Sequence, residues 1–575
     1  MEGLLLHLLV AAGLALGWGD DRCGWDQWGG SAAHDGQACA RGQPQHRELA
    51  HIVYDRFQDL EIAEGFGALF VHYQVPLTDG DDNVFMMSKA GTYTPCDPPG
   101  SFEPFPCGFD PANVAQQIWT EKAYRWGRDG KLHERWTFAS DWKPYPNTFW
   151  EPMFQPALWG PFLYVPGAGG TVFQVLKANG RQIQRINPFG TVDPNAYVSG
   201  GITVDRQGFL YWNVVRIDPF TFGETGYLVR ATPWGTSKVV AYDGLLPGAP
   251  RPGDLCFTAF NFMFPRPPRP WPPPGLTPPQ FECGGQRAGI NVTPAVGPDG
   301  TVFTATTDAF NERYGYVVAF RPNLELKWAT SLRSIVHDGC GVLLSPTPLV
   351  CPVAADGTPL YELGVEPATG FQPALQVNDT SSSSPVALPD GNVLYGALDG
   401  YNFGRGHLLK LGRSGELMAT YTFGWDTTPA VYRHDGTYSI VMKDNHYFEL
   451  NPEGGPFFMT QLSKELTVEW QFKNTQTQVC TRLPDGTLSC SDTTPDGEVH
   501  PNGFEWCVNA PVVDRDGNVH ANAEDGFAYV IGQGGVLKER TFLNQALGAA
   551  YTPTSIDPRG RLYVLNNGEL SVLGR

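Results

Sequence analysis

Residues 294–305 read PAVGPDGTVFTA, and this pattern decides the fold. A proline and a few apolar residues lead into a turn that ends in glycine, and an alternating apolar stretch follows. Asp-Gly between two such stretches is the strongest short-range signal of a β-hairpin, because glycine accepts the positive φ of the tight turn. The stretch therefore predicts an inner strand, a hairpin turn and a second strand.

The same pattern returns along the chain. Its other copies are ITVDRQGFLYW from Ile202, PVALPDGNVLYGA from Pro385, PAVYRHDGTYSIV from Pro429, PVVDRDGNVHANA from Pro511, PTSIDPRGRLYVL from Pro553 and the more degenerate PALWGPFLYVPGAGGTVFQV from Pro156. Successive turn glycines are 92, 91, 45, 81 and 43 residues apart in the order Gly208, Gly300, Gly391, Gly436, Gly517 and Gly560. These gaps are close to one or two units of about 45 residues, the length of a four-stranded propeller blade.

A second element follows several copies. It is a small or polar turn and then an apolar stretch, as in GRDGKLHERWTF, ANGRQIQRINPF, RPNLELKWATS, GRSGELMATYTF and GQGGVLKERTF. We interpret it as the outer half of a blade. A turn followed by Leu and Trp resembles the tryptophan-docking repeat of quinoprotein-like β-propellers, in which each tryptophan packs between neighbouring blades. The resemblance implies that Trp136, Trp328 and Trp470 are docking residues, although the Ala-x-Asp that usually opens the repeat is missing.

The copies, with an N-terminal blade over residues 66–138, predict a single all-β propeller of eight four-stranded blades over residues 66–575; seven blades is the alternative. The chain ends soon after its last copy, so the last sheet needs an outer strand from the N-terminal region, residues 18–65. That region holds WDQWGGSAAHDG, residues 25–36, and chains of the resembling superfamily often begin with such a segment. His-Asp-Gly recurs at residues 337–339 and 434–436, which favours a structural role over catalysis.

Composition agrees with this fold class. The chain has 67 Gly, 50 Pro, 13% aromatic and 17% charged residues, as expected for short strands joined by turns. A net charge of −19 and no basic cluster argue against nucleic acid as a partner. No heptad seam is visible, so we expect a monomer.

The N-terminus resembles a signal peptide. Residues 4–16 form an apolar run, and Ala15 and Gly17 are the small residues that a cleavage site needs, so the signal peptide would be residues 1–17. The alternative is a short buried N-terminal segment. We expect a secreted or periplasmic protein with no membrane span.

Cysteine spacing favours the same compartment. Ten of the 11 cysteines fall into near pairs that suit disulfides: Cys23 with Cys39, Cys96 with Cys107, Cys256 with Cys283, Cys340 with Cys351, and Cys480 with Cys490. Cys507 is left over. The pairs clip loop insertions, among them residues 248–283, where PRPPRPWPPPGLTPP (265–279) predicts polyproline II. We interpret it as an extended surface loop; a lid or docking element is the alternative.

Candidate site residues are few. Oxygen ligands at spacings typical of calcium loops occur in DGDDN, with Asp79, Asp81 and Asp82, and in DRDGN, with Asp514 and Asp516, which doubles as a hairpin turn. Candidates for a ligand-binding face are Arg313, Arg405, His407, Asp444 and His446. Exposed loop charges, or a satisfied histidine for His446, are the structural alternatives. The serines 381–384 lie where small side chains crowd the axis, and no nucleophile elbow surrounds them.

Two functions are consistent with these features. The first is an exported, non-catalytic propeller that binds a protein or carbohydrate partner. The second is the activity that the resemblance implies, a dehydrogenase with pyrroloquinoline quinone and calcium on the axis, or another propeller enzyme with an axial metal. The sequence lacks adjacent cysteines for a vicinal disulfide and a CxxCH haem segment. We therefore expect no quinone, and calcium remains an open prediction.

Overall fold

The structure is a computed structural model. It describes residues 23–65, 67–96, 111–146, 150–257, 280–310, 314–336, 343–344, 347–348, 353–359, 374–399, 406–424, 426–447, 454–494, 499–506, 510–547 and 553–575. Several predictions from the sequence lie outside these residues: the signal peptide 1–17, the proline-rich stretch 265–279, the triplet 337–339, Cys107, Cys340, Cys351, Cys507, Arg313 and Arg405.

Eight antiparallel sheets form the eight blades of a β-propeller, which confirms the predicted fold class and blade count. The strands of blades 1 to 4, from the axis outward, are Leu77–Thr78, Asn83–Gly91, Gln117–Trp126 and Leu132–Ala139; Ala157–Trp159, Phe162–Pro166, Val172–Leu176 and Gln182–Ile186; Ala196–Val204, Leu210–Ile217, Glu224–Ala231 and Ser237–Ala241; and Ala295–Val296 with Gln286–Ala288, Val302–Asp308, Tyr316–Phe320 and Leu326–Ser331.

Blades 5 to 8 follow the same plan. Their strands are Val386–Ala387 with Leu375–Gln376, Val393–Asp399, Gly406–Leu411 and Leu417–Phe423; Ala430–His434, Thr437–Asn445, Phe457–Ser463 and Val468–Lys473; Val512–Val513, Val519–Asn522, Phe527–Gly532 and Val536–Phe542; and Thr554–Ile556, Leu562–Asn566, Glu569–Gly574 and Arg47–Val53.

The remaining elements are short. The helices are Gln58–Glu64, Pro111–Gln116 and the single 3-10 turn Ala168–Gly170. Three two-stranded sheets pair Leu255–Phe257 with Gln280–Glu282, Leu343–Leu344 with Thr347–Pro348, and Val479–Arg482 with Leu488–Ser491. Within the described part of the chain, no helix is both long and apolar enough to cross a membrane.

The repeat builds each blade from its turn outward. All six turn glycines of the repeat have positive φ, between 76° and 87°. Each lies between the innermost strand of its blade and the next strand. Side chains alternate between the two faces of each strand, so apolar residues on one face pack against the neighbouring blade. The resulting core consists of clusters of buried residues that each span neighbouring blades.

The ring is closed by the N-terminal region. The last blade receives its outer strand from Arg47–Val53, which pairs antiparallel with Glu569–Gly574. A strand from the start of the chain thus pairs with one from its end, and the pairing covers the edge that the last three strands would expose.

Tryptophans on the outer strands contact the next blade. Trp136 donates its indole N–H to the carbonyl oxygen of Lys177 at 2.8 Å, and Trp328 donates to that of Arg413 at 2.8 Å. Trp470 is buried against the turn at Gly535. Each of the three indoles therefore lies against a turn of the following blade.

Three predicted disulfides lie within the described residues. Cys23–Cys39, Cys256–Cys283 and Cys480–Cys490 have Cα–Cα distances of 5.2, 5.4 and 4.1 Å. The second joins the two ends of the insertion that holds the proline-rich stretch, and the third lies directly across a hairpin. The insertions are thus clipped at their base.

Candidate functional site

Residues 25–43 run across one end of the propeller axis and bond to every blade in turn; we call them the seal. Eight hydrogen bonds of 2.6–2.9 Å join Trp25 to Thr78, Asp26 to Leu158, Gln27 to Val204, Ala32 to Val296, Ala33 to Ala387, Asp35 to Val431, Ala38 to Val513 and Gln43 to Gly560. Seven of these use backbone groups on both sides. The opening motif of the chain is therefore a structural plug, and the end that it covers is the sealed face.

His34 belongs to this plug. Its ring is fully buried, and Nδ1 lies 2.8 Å from the carbonyl oxygen of Pro385, while Nε2 lies 3.4 Å from the hydroxyl of Thr203. Burial lowers the pKa of His34 to about 4, although the bond to Pro385 opposes the shift. A neutral imidazole whose two nitrogens face protein groups is a structural residue.

The opposite end of the axis is packed with polar side chains. Lys443 Nζ lies 2.9 Å from the Asp426 carboxylate, and both side chains are at most 1% exposed. Ser382, Thr427 and His72 are likewise at most 2% exposed. Burial raises the pKa of Asp426 and lowers that of His72 to about 3. The described side chains therefore fill this part of the axis.

A second buried cluster lies where the ring closes. Lys89 Nζ is 2.8 Å from Asp55, 3.0 Å from Glu61 and 2.7 Å from Glu151, and the lysine side chain is completely buried. Asp55 and Glu61 follow the closing strand, whereas Lys89 belongs to blade 1 and Glu151 precedes blade 2. Burial raises the pKa of Glu61 well above its usual value, and the Asp55 carboxylate adds to the shift.

A calcium ion on the axis would need several oxygen ligands, and the described axial side chains do not supply such a group. The one axial carboxylate described above, Asp426, already faces an ammonium group. In the part of the chain that the structure describes, no three His, Cys, Asp or Glu side chains are grouped closely enough to hold a metal ion. We therefore derive no reaction step through the calcium or the quinone that the resemblance implies.

One accessible cavity among the described residues lies on the sealed face. It is a groove of about 840 Å³ whose floor is the seal and whose walls are the inner turns of blades 2 to 5, with Arg433 of blade 6. Its aromatic lining comes from Trp25, Trp159, Phe209 and Tyr211. A volume in this range suits a drug-sized or oligosaccharide-sized ligand.

One wall of the groove, on blade 3, carries two arginines. The Arg230 guanidinium carbon lies 3.7 Å from the centre of the Phe209 ring, and the group also bonds to the Tyr211 hydroxyl. Arg206 is exposed on the turn of the same blade. Among the described residues, neither guanidinium has a carboxylate oxygen within 4 Å.

The other charged groups of the groove are neutralised or used by turns. Asp35 lies 2.7 Å from Arg433, and Asp299 lies 3.3 Å from Lys327. Asp205 accepts bonds from two backbone N–H groups of its turn and from the Tyr211 hydroxyl. On the blade 3 wall, the guanidinium groups of Arg206 and Arg230 outnumber the single carboxylate, Asp205, whose charge also acts on Arg230.

The first proposed calcium loop, DGDDN, is the inner hairpin turn of blade 1. Asp79 accepts bonds from the backbone N–H groups of Asp81 and Asn83 and lies 3.2 Å from Lys177. Asp82 pairs with two arginines of blade 8, Arg559 and Arg561. These carboxylates stabilise a turn and join two blades.

The second proposed loop, DRDGN, is the equivalent turn of blade 7. Asp514 accepts bonds from the N–H groups of Asp516 and Asn518, each at 2.9 Å, and from that of Gly42 in the seal at 3.0 Å. Asp516 pairs with Arg41 of the seal. The contacts favour the hairpin role, and calcium binding stays a prediction.

The predicted ligand-face residues do not meet at the groove. Asp444 and His446 come together, with 3.1 Å between the Asp444 carboxylate and His446 Nε2, and the Asp444 carboxylate also accepts bonds from Tyr421 and Thr460. The His446 ring packs edge-on against Phe458. His407 is buried in blade 5. None of the three lines the groove.

Sequence reasoning missed the groove because its lining comes from turns far apart in the chain. One signal was present: each repeat copy places its turn at the same end of its blade, so Arg206 and Asp299 had to share a face. Arg230 carried no such signal, since it lies on a third strand.

Comparisons with known proteins agree on fold. No family model matches the chain, and no curated protein matches it by sequence. Solved structures that match include a europium-containing methanol dehydrogenase (12% identity, 96% of this chain and 90% of that chain, TM-score 0.47). Others are the quinohemoprotein alcohol dehydrogenase from Comamonas testosteroni (11%, 94% and 76%, 0.48) and BamB from Moraxella catarrhalis (10%, 79% and 88%, 0.35). The likeness to quinoprotein-like propellers concerns the fold alone.

Proposed function

We propose that this protein is an exported, non-catalytic β-propeller that binds a protein or carbohydrate partner in the groove on its sealed face. The observation that carries the proposal is the groove itself. It is a concave surface of about 840 Å³ with aromatic lining and two unpaired guanidinium groups, framed by turns whose backbone the repeat holds in place.

The axis supports the same proposal. Its described side chains are fixed by the seal at one end and by the Lys443–Asp426 pair at the other. A site for chemistry needs groups that reach a substrate, and the two charged groups of this pair face each other.

The disulfides support the proposed export. Three lie at the base of loops or at the seal, which suits an oxidising compartment. The Cys23–Cys39 bond also joins the residue just before the seal to a residue within it. Reduction of this disulfide would therefore loosen the floor of the groove.

Binding of the oxidised protein to a combined glycan and peptide array tests the proposal. Gln207→Trp adds bulk on an exposed turn of the groove wall, and Gln182→Trp makes the same change on an exposed outer strand of blade 2. We expect ligands whose binding is lost in Gln207→Trp and retained in Gln182→Trp.

The opposite pattern would contradict the proposal. Array ligands that bind both variants equally would place recognition outside the groove. A turnover assay with any array ligand that shows its chemical conversion would show that the protein is an enzyme.

A further inference from the structure

Charge is distributed unevenly within the groove. On a chain of net charge −19, the carboxylates Asp35 and Asp299 each have their own cation, whereas Arg206 and Arg230 have no carboxylate within 4 Å among the described residues. The blade 3 wall carries these two guanidinium groups and one carboxylate, Asp205, so its net charge is positive, and it faces the accessible space of the groove.

The geometry of Arg230 suits a planar anion. Its guanidinium carbon lies 3.7 Å from the centre of the Phe209 ring and the group bonds to the Tyr211 hydroxyl, so two contacts restrain it. A fixed guanidinium matches a carboxylate through two parallel N–H donors, and preorganisation lowers the entropic cost of that contact.

The other walls discriminate between acidic ligands. Asp26, Asp35, Asp205 and Asp299 all line the groove, and the carboxylates of a peptide and of a uronate chain alike would meet them as like charges. A sugar chain with a carboxylate on each ring also carries hydroxyl groups, which donate to Asp and bond to the lining amides Gln27, Gln37 and Gln207.

We propose that the groove binds an acidic oligosaccharide and that Arg230, aided by Arg206, receives a uronate carboxylate. This inference rests on the proposed function and names its ligand class.

Calorimetry with three uronate tetrasaccharides, made of galacturonate, of guluronate and of hyaluronan disaccharide units, tests the inference. Each is compared with its methyl ester, which keeps the sugar and removes the charge, and with tetraglutamate. We expect at least one uronate to bind and its ester to bind about tenfold more weakly or worse, because a charged hydrogen-bonded contact is lost.

Variants locate the contact. Arg230→Gln should weaken uronate binding by about tenfold or more, and the exposed Arg206→Gln by a smaller factor. Arg216→Gln is the matched control, because Arg216 lies on the same blade outside the groove and pairs with Asp193 at 2.7 Å. It should leave binding unchanged.

Three results would overturn the inference: no binding of any uronate, equal binding of acid and ester, or tighter binding of tetraglutamate. The proposed function would survive each of them if an array ligand still depended on Gln207. Loss of that dependence would refute the proposed function separately.

Discussion

The two ends of the propeller axis are held by different chemistry. At the sealed face, backbone hydrogen bonds join residues 25–43 to all eight blades. At the opposite end, buried charges do the joining: Lys89 faces three carboxylates, and Lys443 faces Asp426. Backbone bonds do not titrate and tolerate changes of side chain. The stability that buried charged groups provide depends on pH and on the presence of each charged partner.

This difference separates binding from stability. The sealed face keeps its shape through the backbone, so its side chains are available to a ligand. At the opposite end, the charged axial side chains Lys443 and Asp426 face each other. We therefore expect substitutions at the charged end to affect folding, and substitutions on the groove wall to affect binding.

The largest effect is expected at Lys89. Lys89→Met removes the ammonium group that faces three carboxylates, which leaves their buried charge without this compensation. We expect a loss of about 3–5 kcal/mol in the free energy of unfolding, measured by chemical denaturation. Lys122→Met is the matched control, because its pair with Glu134 is partly exposed, and it should cost less than about 1 kcal/mol. Equal losses of unfolding free energy in the two variants would show that burial of the Lys89 cluster does not increase its contribution to stability.

The next effect is a dependence of the free energy of unfolding on pH. Glu121 is fully buried, and burial raises its pKa to about 8, although the bond from Gln74 opposes the shift. The folded state thus binds a proton more tightly than the unfolded state. Its stabilising effect is complete below about pH 4.5 and is lost as the pH rises toward 8, by up to roughly 1.4 kcal/mol per pH unit.

Glu121→Gln tests this directly, because the amide keeps the shape and does not titrate. Unfolding curves between pH 5 and 8 should show a shallower fall of stability with pH in the variant than in the parent. Parallel curves would assign the pH dependence to other groups.

A further effect on stability is expected at the seal. Gly36 has φ of +61°, and a Cβ there would lie 2.7 Å from the Cβ of Ala430. Gly36→Ala should therefore cost about 1–3 kcal/mol through crowding, in addition to backbone strain. Gly436→Ala, at φ of +76° with open space around it, measures the strain alone at about 1–2 kcal/mol. Thermal midpoints compare the two, and a larger loss in the Gly436 variant would contradict the packing of the seal.

Much of the fold could be predicted because the repeat is local. The alternation and the turn glycine of each copy are set by nearby residues, so the copies counted the blades correctly, and three near cysteine pairs are the disulfides of the described residues. The position of the seal, by contrast, depends on the whole propeller, since its hydrogen bonds reach residues up to 532 positions away.

The charged clusters and the groove could not be predicted. Lys89 lies in a short strand pattern that is typical of a half-exposed position, and nothing in its neighbourhood indicates Asp55 or Glu151 as partners. Asp79 and Asp514 looked like calcium ligands because turn carboxylates and metal-loop carboxylates share the same spacing. Only the tertiary structure shows that backbone N–H groups and cations occupy their oxygens.

The most direct test of the central claim is a thermal-melt series on the oxidised protein with calcium and pyrroloquinoline quinone, alone and together, followed by a dye-linked dehydrogenase assay. A ligand that binds only the folded state raises the melting temperature by mass action. If the axis is structural and the groove is the binding site, the two compounds together shift the melting temperature no more than calcium alone does, and no dye is reduced. A shift with both compounds, accompanied by dye reduction, would contradict this account and identify the protein as a quinoprotein dehydrogenase.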